Sequence, residues 1–96
     1  MEYTLIKTVG EKPIKKIWTV YDRLVSENLG SLVIWKGSGY SFFQANFLPR
    51  AEKVLDLPIT HVNFYGEYRY VVKMSSYSLD YSIQKLLTAG ISVVVF

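Results

Sequence analysis

Two short apolar runs constrain this chain more than any other feature. Leu32-Val33-Ile34-Trp35 and the β-branched stretch from Ile91 to Phe96 are too short for ordinary helices, and neither shows a clean alternation of apolar and polar residues. A strand of this kind sends apolar side chains to both sides, so both of its faces must be covered. A fold containing two such strands needs helices above and below a sheet.

The rest of the sequence supplies those helices. Pro13 sits where the first turn of a helix tolerates it, and Ile14, Ile17, Trp18, Tyr21, Leu24 and Val25 then recur three and four residues apart, predicting a helix that ends near Asn28 to Gly30. Leu48, Ala51, Val54 and Leu55 predict a short helix within Leu48 to Leu57, stopped before Pro58. Leu79, Ile83, Leu86 and Leu87 form a third stripe. Ser76 or Ser78 is its expected cap, Asp80 lies in the first turn where the helix dipole favours a carboxylate, and Gly90 marks its end.

Four further segments read as strands. Residues 3 to 9 are rich in β-formers and stop at Gly10, as an edge strand would. Gly37-Ser38-Gly39 breaks the first buried run and turns it back into Tyr40 to Phe47. Ile59 to Tyr65 and Tyr68 to Met74, separated by Gly66 and Glu67, read as a hairpin. The expected fold is α/β in the α+β sense, with one mixed β-sheet flanked by helices and a single domain over residues 1 to 96. A chain of 96 residues buries roughly 60 to 70% of its unfolded surface, and cysteine is absent, so packing alone must hold it.

The inventory of reactive groups is thin. His61 is the single histidine, and without cysteine or clustered carboxylates a metal site lacks ligands, so a structural or surface role is expected for it. No G-x-S-x-G elbow is present, and the carboxylates at Asp22, Glu27, Glu52, Asp56, Glu67 and Asp80 are scattered over different elements. Gly37-Ser38-Gly39 leads into a strand, whereas phosphate-cradling loops lead into a helix. The reading is a noncatalytic module with no cofactor and no metal. No apolar run approaches the length of a membrane span and no signal-peptide pattern opens the sequence, which predicts an intracellular, cytoplasmic protein.

Charge is mildly basic, with eleven Lys and Arg against eight Asp and Glu. Lys7, Lys12, Lys15 and Lys16 cluster near the start, and Tyr65, Tyr68, Arg69, Tyr70 and Lys73 interleave aromatic and basic residues. The second group can stack bases and neutralise phosphates, or simply pack on a sheet.

From Tyr21 to Phe96 the sequence resembles the N-terminal, mismatch-recognition domain of MutS-type DNA mismatch repair proteins. The likeness is carried by Tyr21 to Lys36 with Ile34-Trp35-Lys36, by Arg50-Ala51 through Leu55-Asp56-Leu57 to Ile59-Thr60, and by Lys85-Leu86 followed by Gly90 and the terminal strand. That resemblance implies a mixed sheet with flanking helices. It also implies a Phe-x-Glu element just after a glycine turn, which enters the DNA minor groove as a wedge where a mismatch has weakened stacking. In gapless register Tyr40 stands at the wedge phenylalanine and Phe42 at the glutamate. The family's second groove-facing segment falls on Lys73-Met74-Ser75. The Walker A loop of the family's ATPase is absent.

The resemblance therefore predicts binding to double-stranded DNA through Lys36, Tyr40, Phe42 and Lys73, with Lys15 or Lys16 as a further contact and without strict mismatch readout. The alternative is a protein-interaction or structural domain that keeps the fold and has lost DNA contact. A third reading takes residues 3 to 65 as the βαββαβ order of ferredoxin-like RNA binders.

Overall fold

The computed structural model describes the backbone of Thr4–Leu5 and residues 17–96. The predicted start of the first helix at Pro13, and Lys7, Lys12, Lys15 and Lys16, lie outside the described residues. The elements in chain order are β1 (Thr4–Leu5), α1 (Ile17–Glu27), β2 (Leu32–Lys36), β3 (Tyr40–Gln44), α2 (Pro49–Leu55), β4 (Ile59–Phe64), β5 (Glu67–Ser75), α3 (Leu79–Thr88) and β6 (Val93–Val95).

All six strands join one sheet in the order β1-β6-β2-β3-β5-β4. β6 pairs in parallel with β1 and β2, whereas β2-β3, β3-β5 and β5-β4 are antiparallel, which makes the sheet mixed. Each helix is a crossover between parallel strands: α1 joins β1 to β2 past β6, α2 joins β3 to β4 past β5, and α3 joins β5 to β6 past β3 and β2. This order excludes the ferredoxin-like reading, in which the first strand is central; here β1 is the edge beyond β6.

The two apolar runs occupy the middle of the sheet and are covered on both sides, as their patterning requires. Leu32, Ile34, Val93 and Val95 pack with Phe43, Val72 and Met74 against Ala51 and Leu55 of α2 and Leu79, Ile83 and Leu86 of α3. Val33, Val94 and Phe96 pack with Phe42, Val62 and Val71 against Ile17, Trp18, Tyr21 and Leu24 of α1. Strand alternation thus sorts one sequence into two cores.

Local chemistry sets the boundaries. Pro49 opens α2, where its fixed φ suits the first turn, and Asp56 closes it in the left-handed region at φ 52°. The β4–β5 turn is Tyr65-Gly66, one residue earlier than Gly66 and Glu67, with both residues at positive φ (51° and 85°) as a two-residue hairpin demands. Ser78 occupies the N-cap position of α3, but its side chain makes no capping bond. Ser76 Oγ donates to the Ser38 carbonyl, and the Ser78 hydroxyl turns back to Ser75, whose Oγ accepts the Ser78 N–H at 3.2 Å.

α1 is fastened to the sheet at two points. At the first, β2 and β3 diverge: they pair at Trp35↔Phe42 and Lys36↔Ser41, and the same register would set Ile34 against Phe43 and then Val33 against Gln44. The Tyr21 hydroxyl stands there instead, accepting the Gln44 N–H at 2.8 Å and donating to the Val33 carbonyl at 2.7 Å. At the second, the Arg69 guanidinium of β5 lies over the Trp18 ring at 4.4 Å and bonds both oxygens of Asp22, with Glu67 and Gln44 completing its set.

Burial drives the Tyr21 hydroxyl well above the ordinary tyrosine range, so the fold holds the neutral phenol. Tyr21→Phe leaves a backbone donor and a backbone acceptor without their partner and is expected to cost about 1–3 kcal/mol in urea unfolding. Because the folded state binds this proton more tightly, the contribution of Tyr21 is complete below a pH of about 10 and is lost as pH rises beyond it. The stability of Tyr21→Phe should therefore fall less steeply than wild type in that alkaline range.

Candidate nucleic-acid interface

The turn between β2 and β3 is shaped by a glycine that cannot be replaced in place. A Cβ on Gly37 would lie 2.5 Å from the Trp35 ring and 2.5 Å from the Tyr40 carbonyl, which accepts the Gly37 N–H at 3.0 Å. Gly39 has open space around its Cα. The first glycine of Gly37-Ser38-Gly39 therefore closes the hairpin over Trp35.

Beyond the turn, register decides the direction of each candidate residue. Phe42 pairs with Trp35 on one side and Lys73 on the other, so these three side chains share the face that α1 covers, and Tyr40 and Ser75 form the next pair along that face. Tyr40 is half-buried against Trp35 (ring centroids 5.8 Å apart), and Lys73 Nζ sits 4.6 Å over the Tyr40 ring, within cation–π range. Tyr40 and Lys73 are thus brought together at the turn.

Phe42, expected at the DNA-facing surface, is instead buried. Its side chain is 0% exposed, enclosed by Trp18, Tyr21, Trp35 and Phe64, with centroids 5.1 to 6.3 Å away. It has no surface to offer a nucleic acid, because the alternation that sets Tyr40 at the rim carries Phe42 under α1. Lys36 pairs with Ser41 and projects to the other face, so it flanks the turn from the side opposite Tyr40 and Lys73. Lys15 and Lys16 lie outside the described residues.

A second turn shares the rim. Ser75 stands across from Tyr40, and the Ser76 hydroxyl donates to the Ser38 carbonyl at 2.8 Å, tying the β5–α3 turn to the β2–β3 turn. Tyr77 at its tip is fully exposed. Neither Ser76 nor Tyr77 was among the residues expected at this site; the serines before α3 read as caps, and a 38-residue separation carries no sequence signal.

The aromatic and basic residues of β5 are divided by the sheet. Tyr68 and Tyr70 face away from α1, while Arg69 and Lys73 face toward it, and Arg69 is engaged by Asp22 and Glu67. No phosphate-binding cation lies beside those tyrosines on β4 or β5. His61 is exposed on β4 and stacks on Tyr68 at 4.7 Å. Among the described residues no group of three or more metal-ligating side chains comes together, and no helix is long and apolar enough to cross a membrane.

No protein-family model matches the chain, and no match to it was found among curated proteins. The geometry distinguishes its two aromatic candidates directly. Phe42→Ala is expected to destabilise the fold by about 3–5 kcal/mol through the cavity it leaves, whereas Tyr40→Ala should cost under about 2 kcal/mol and stay folded at room temperature, as read by chemical denaturation.

Proposed function

We propose that the chain is a noncatalytic DNA-binding module related to the N-terminal domain of MutS-type mismatch repair proteins, contacting the duplex backbone without reading the mismatch. One observation carries the reading. The β2–β3 turn beside Tyr40 and the end of β5 at Lys73-Met74-Ser75, onto which the resemblance would map the family's two groove-facing segments, lie side by side, joined by the Tyr40–Ser75 pair and, just beyond it, the Ser76–Ser38 hydrogen bond. Lys73 stands against Tyr40 on one side of this rim and Lys36 on the other, so the sheet meets a duplex with the end of its strands. Two lysines and exposed hydroxyls suit phosphates, which position a protein without conveying sequence. The half-buried Tyr40 is a poor wedge, and no carboxylate occupies the position of the family's glutamate.

Fluorescence anisotropy with matched and mismatched duplexes at low salt tests this. The expected dissociation constants are about 1–100 μM and within about threefold of each other for the two duplexes. Lys73→Ala should weaken both equally and reduce the slope of log K against log salt by about 1. Absence of binding at ~100 μM protein rejects the reading. A protein-interaction role is favoured by a different observation, the exposed Ile59, Tyr68 and Tyr70 beside the open edge of the sheet.

A further inference from the structure

β4 ends the sheet, and nothing in its sequence protects that edge. Natural edge strands are blunted by charges, proline, bulges or brevity, because unpaired N–H and C=O groups template pairing with another strand. The opposite edge is β1, described at Thr4–Leu5. β4 has six, Ile59-Thr60-His61-Val62-Asn63-Phe64, with no charged residue and no proline, and it pairs with β5 at every position without a bulge.

The register fixes which way each β4 residue turns its backbone N–H and C=O. Ala45 N–H donates to the Tyr70 carbonyl at 2.9 Å, so Tyr70, Val72 and Met74 turn their backbone groups toward β3. The alternate residues Glu67, Arg69 and Val71 turn theirs toward β4, where they meet Phe64, Val62 and Thr60. The two-residue Tyr65-Gly66 turn closing on Phe64 and Glu67 requires the same phase. Ile59, His61 and Asn63 are left with N–H and C=O pointing away from the sheet. Their side chains lie on the face that carries Tyr68 and Tyr70, which are 49% and 55% exposed, beside Ile59 at 47%.

We propose that two copies of this chain associate through β4, antiparallel about a two-fold axis perpendicular to the sheet, with His61 facing its own counterpart and Ile59 facing Asn63. This register alone uses all three outward-facing residues of both copies, since a shift by two in either direction leaves some without a partner. Each facing pair exchanges two N–H···O=C bonds. A second copy fits for reasons of charge and symmetry. The strand is neutral within a chain of net charge +3, so its own counterpart brings no like charge to the junction, and the exposed aromatic faces of the two copies become continuous. The contact is small, and association at about 10–100 μM is expected. The inference does not depend on DNA binding, and its test contains no nucleic acid.

The absence of cysteine makes the register directly measurable. Facing residues of a hydrogen-bonded antiparallel pair have Cα atoms about 5.5 Å apart, within disulfide reach, so His61→Cys should oxidise to a covalent dimer. In Asn63→Cys the two thiols sit four residues apart along the strand, about 14 Å, and should cross-link at least about tenfold more slowly. Sedimentation of the wild-type chain should show a concentration-dependent dimer. His61→Pro should abolish it while circular dichroism reports an unchanged fold, because the lost N–H is one that β5 does not use. A wild-type chain still monomeric at ~500 μM overturns the proposal. So does equal cross-linking at positions 61 and 63, or a folded His61→Pro variant that still dimerises.

Discussion

The Tyr21 hydroxyl completes the sheet at the point where its backbone ladder fails. β2 and β3 part after Trp35 and Phe42, and at Val33 and Gln44 an amide and a carbonyl are left that no neighbouring strand satisfies in that register. An α1 side chain reaches between them and serves both, acceptor to one and donor to the other. A buried backbone group without a partner costs about as much as several methylenes of apolar burial return, so this one hydroxyl fixes the depth and rotation of α1 over the sheet. Trp18 is then set over Phe42 and Phe64, and Asp22 within reach of Arg69. The aromatic core beneath α1 follows from where one phenol must stand.

The same geometry governs what the surface can do. Alternation along β3 carries Phe42 into that core and leaves Tyr40 at the rim; alternation along β5 delivers Arg69 to Asp22 and Lys73 to Tyr40, and turns Tyr68 and Tyr70 to the other side. Residues adjacent in sequence therefore work in separate chemical settings. The cations meet carboxylates and an aromatic rim, while the tyrosines of β5 share their face with His61 and Ile59 of β4, the strand that ends the sheet.

Much of this fold is legible in the residues themselves. The apolar runs at Leu32 to Trp35 and at Ile91 to Phe96 require cover on both faces, and the stripes of α1, α2 and α3 supply it, because burial has a period that sequence displays directly. The β4–β5 hairpin is legible too, although Tyr65 taking a positive φ ahead of Gly66 moves its turn by one residue. Less legible is anything that depends on which strands become neighbours. That Phe42 is enclosed, that Lys36 and Lys73 lie on opposite faces, and that Ser76 reaches Ser38 all follow from register and sheet order, which link positions as far as 38 residues apart. Arg69 and Asp22 are 47 apart, and no local pattern marks either as the other's partner.

Sheet order also has a consequence for how the chain is made. β6 follows the other five described strands in sequence, yet it lies between β1 and β2, and its three valines are divided between the two cores. While β6 is still within the ribosome, β1 has no neighbour, and the inner edge of β2 is open alongside apolar surface from both layers. The antiparallel half, β2-β3-β5-β4, can assemble during synthesis; the parallel half must wait and then form by inserting a strand between elements already made. Contacts of such sequence separation are slow to close, so the newly made chain passes through a stage in which an unprotected central strand is exposed. The interval between the emergence of β2 and that of β6 is when this protein is most vulnerable to pairing with the wrong strand.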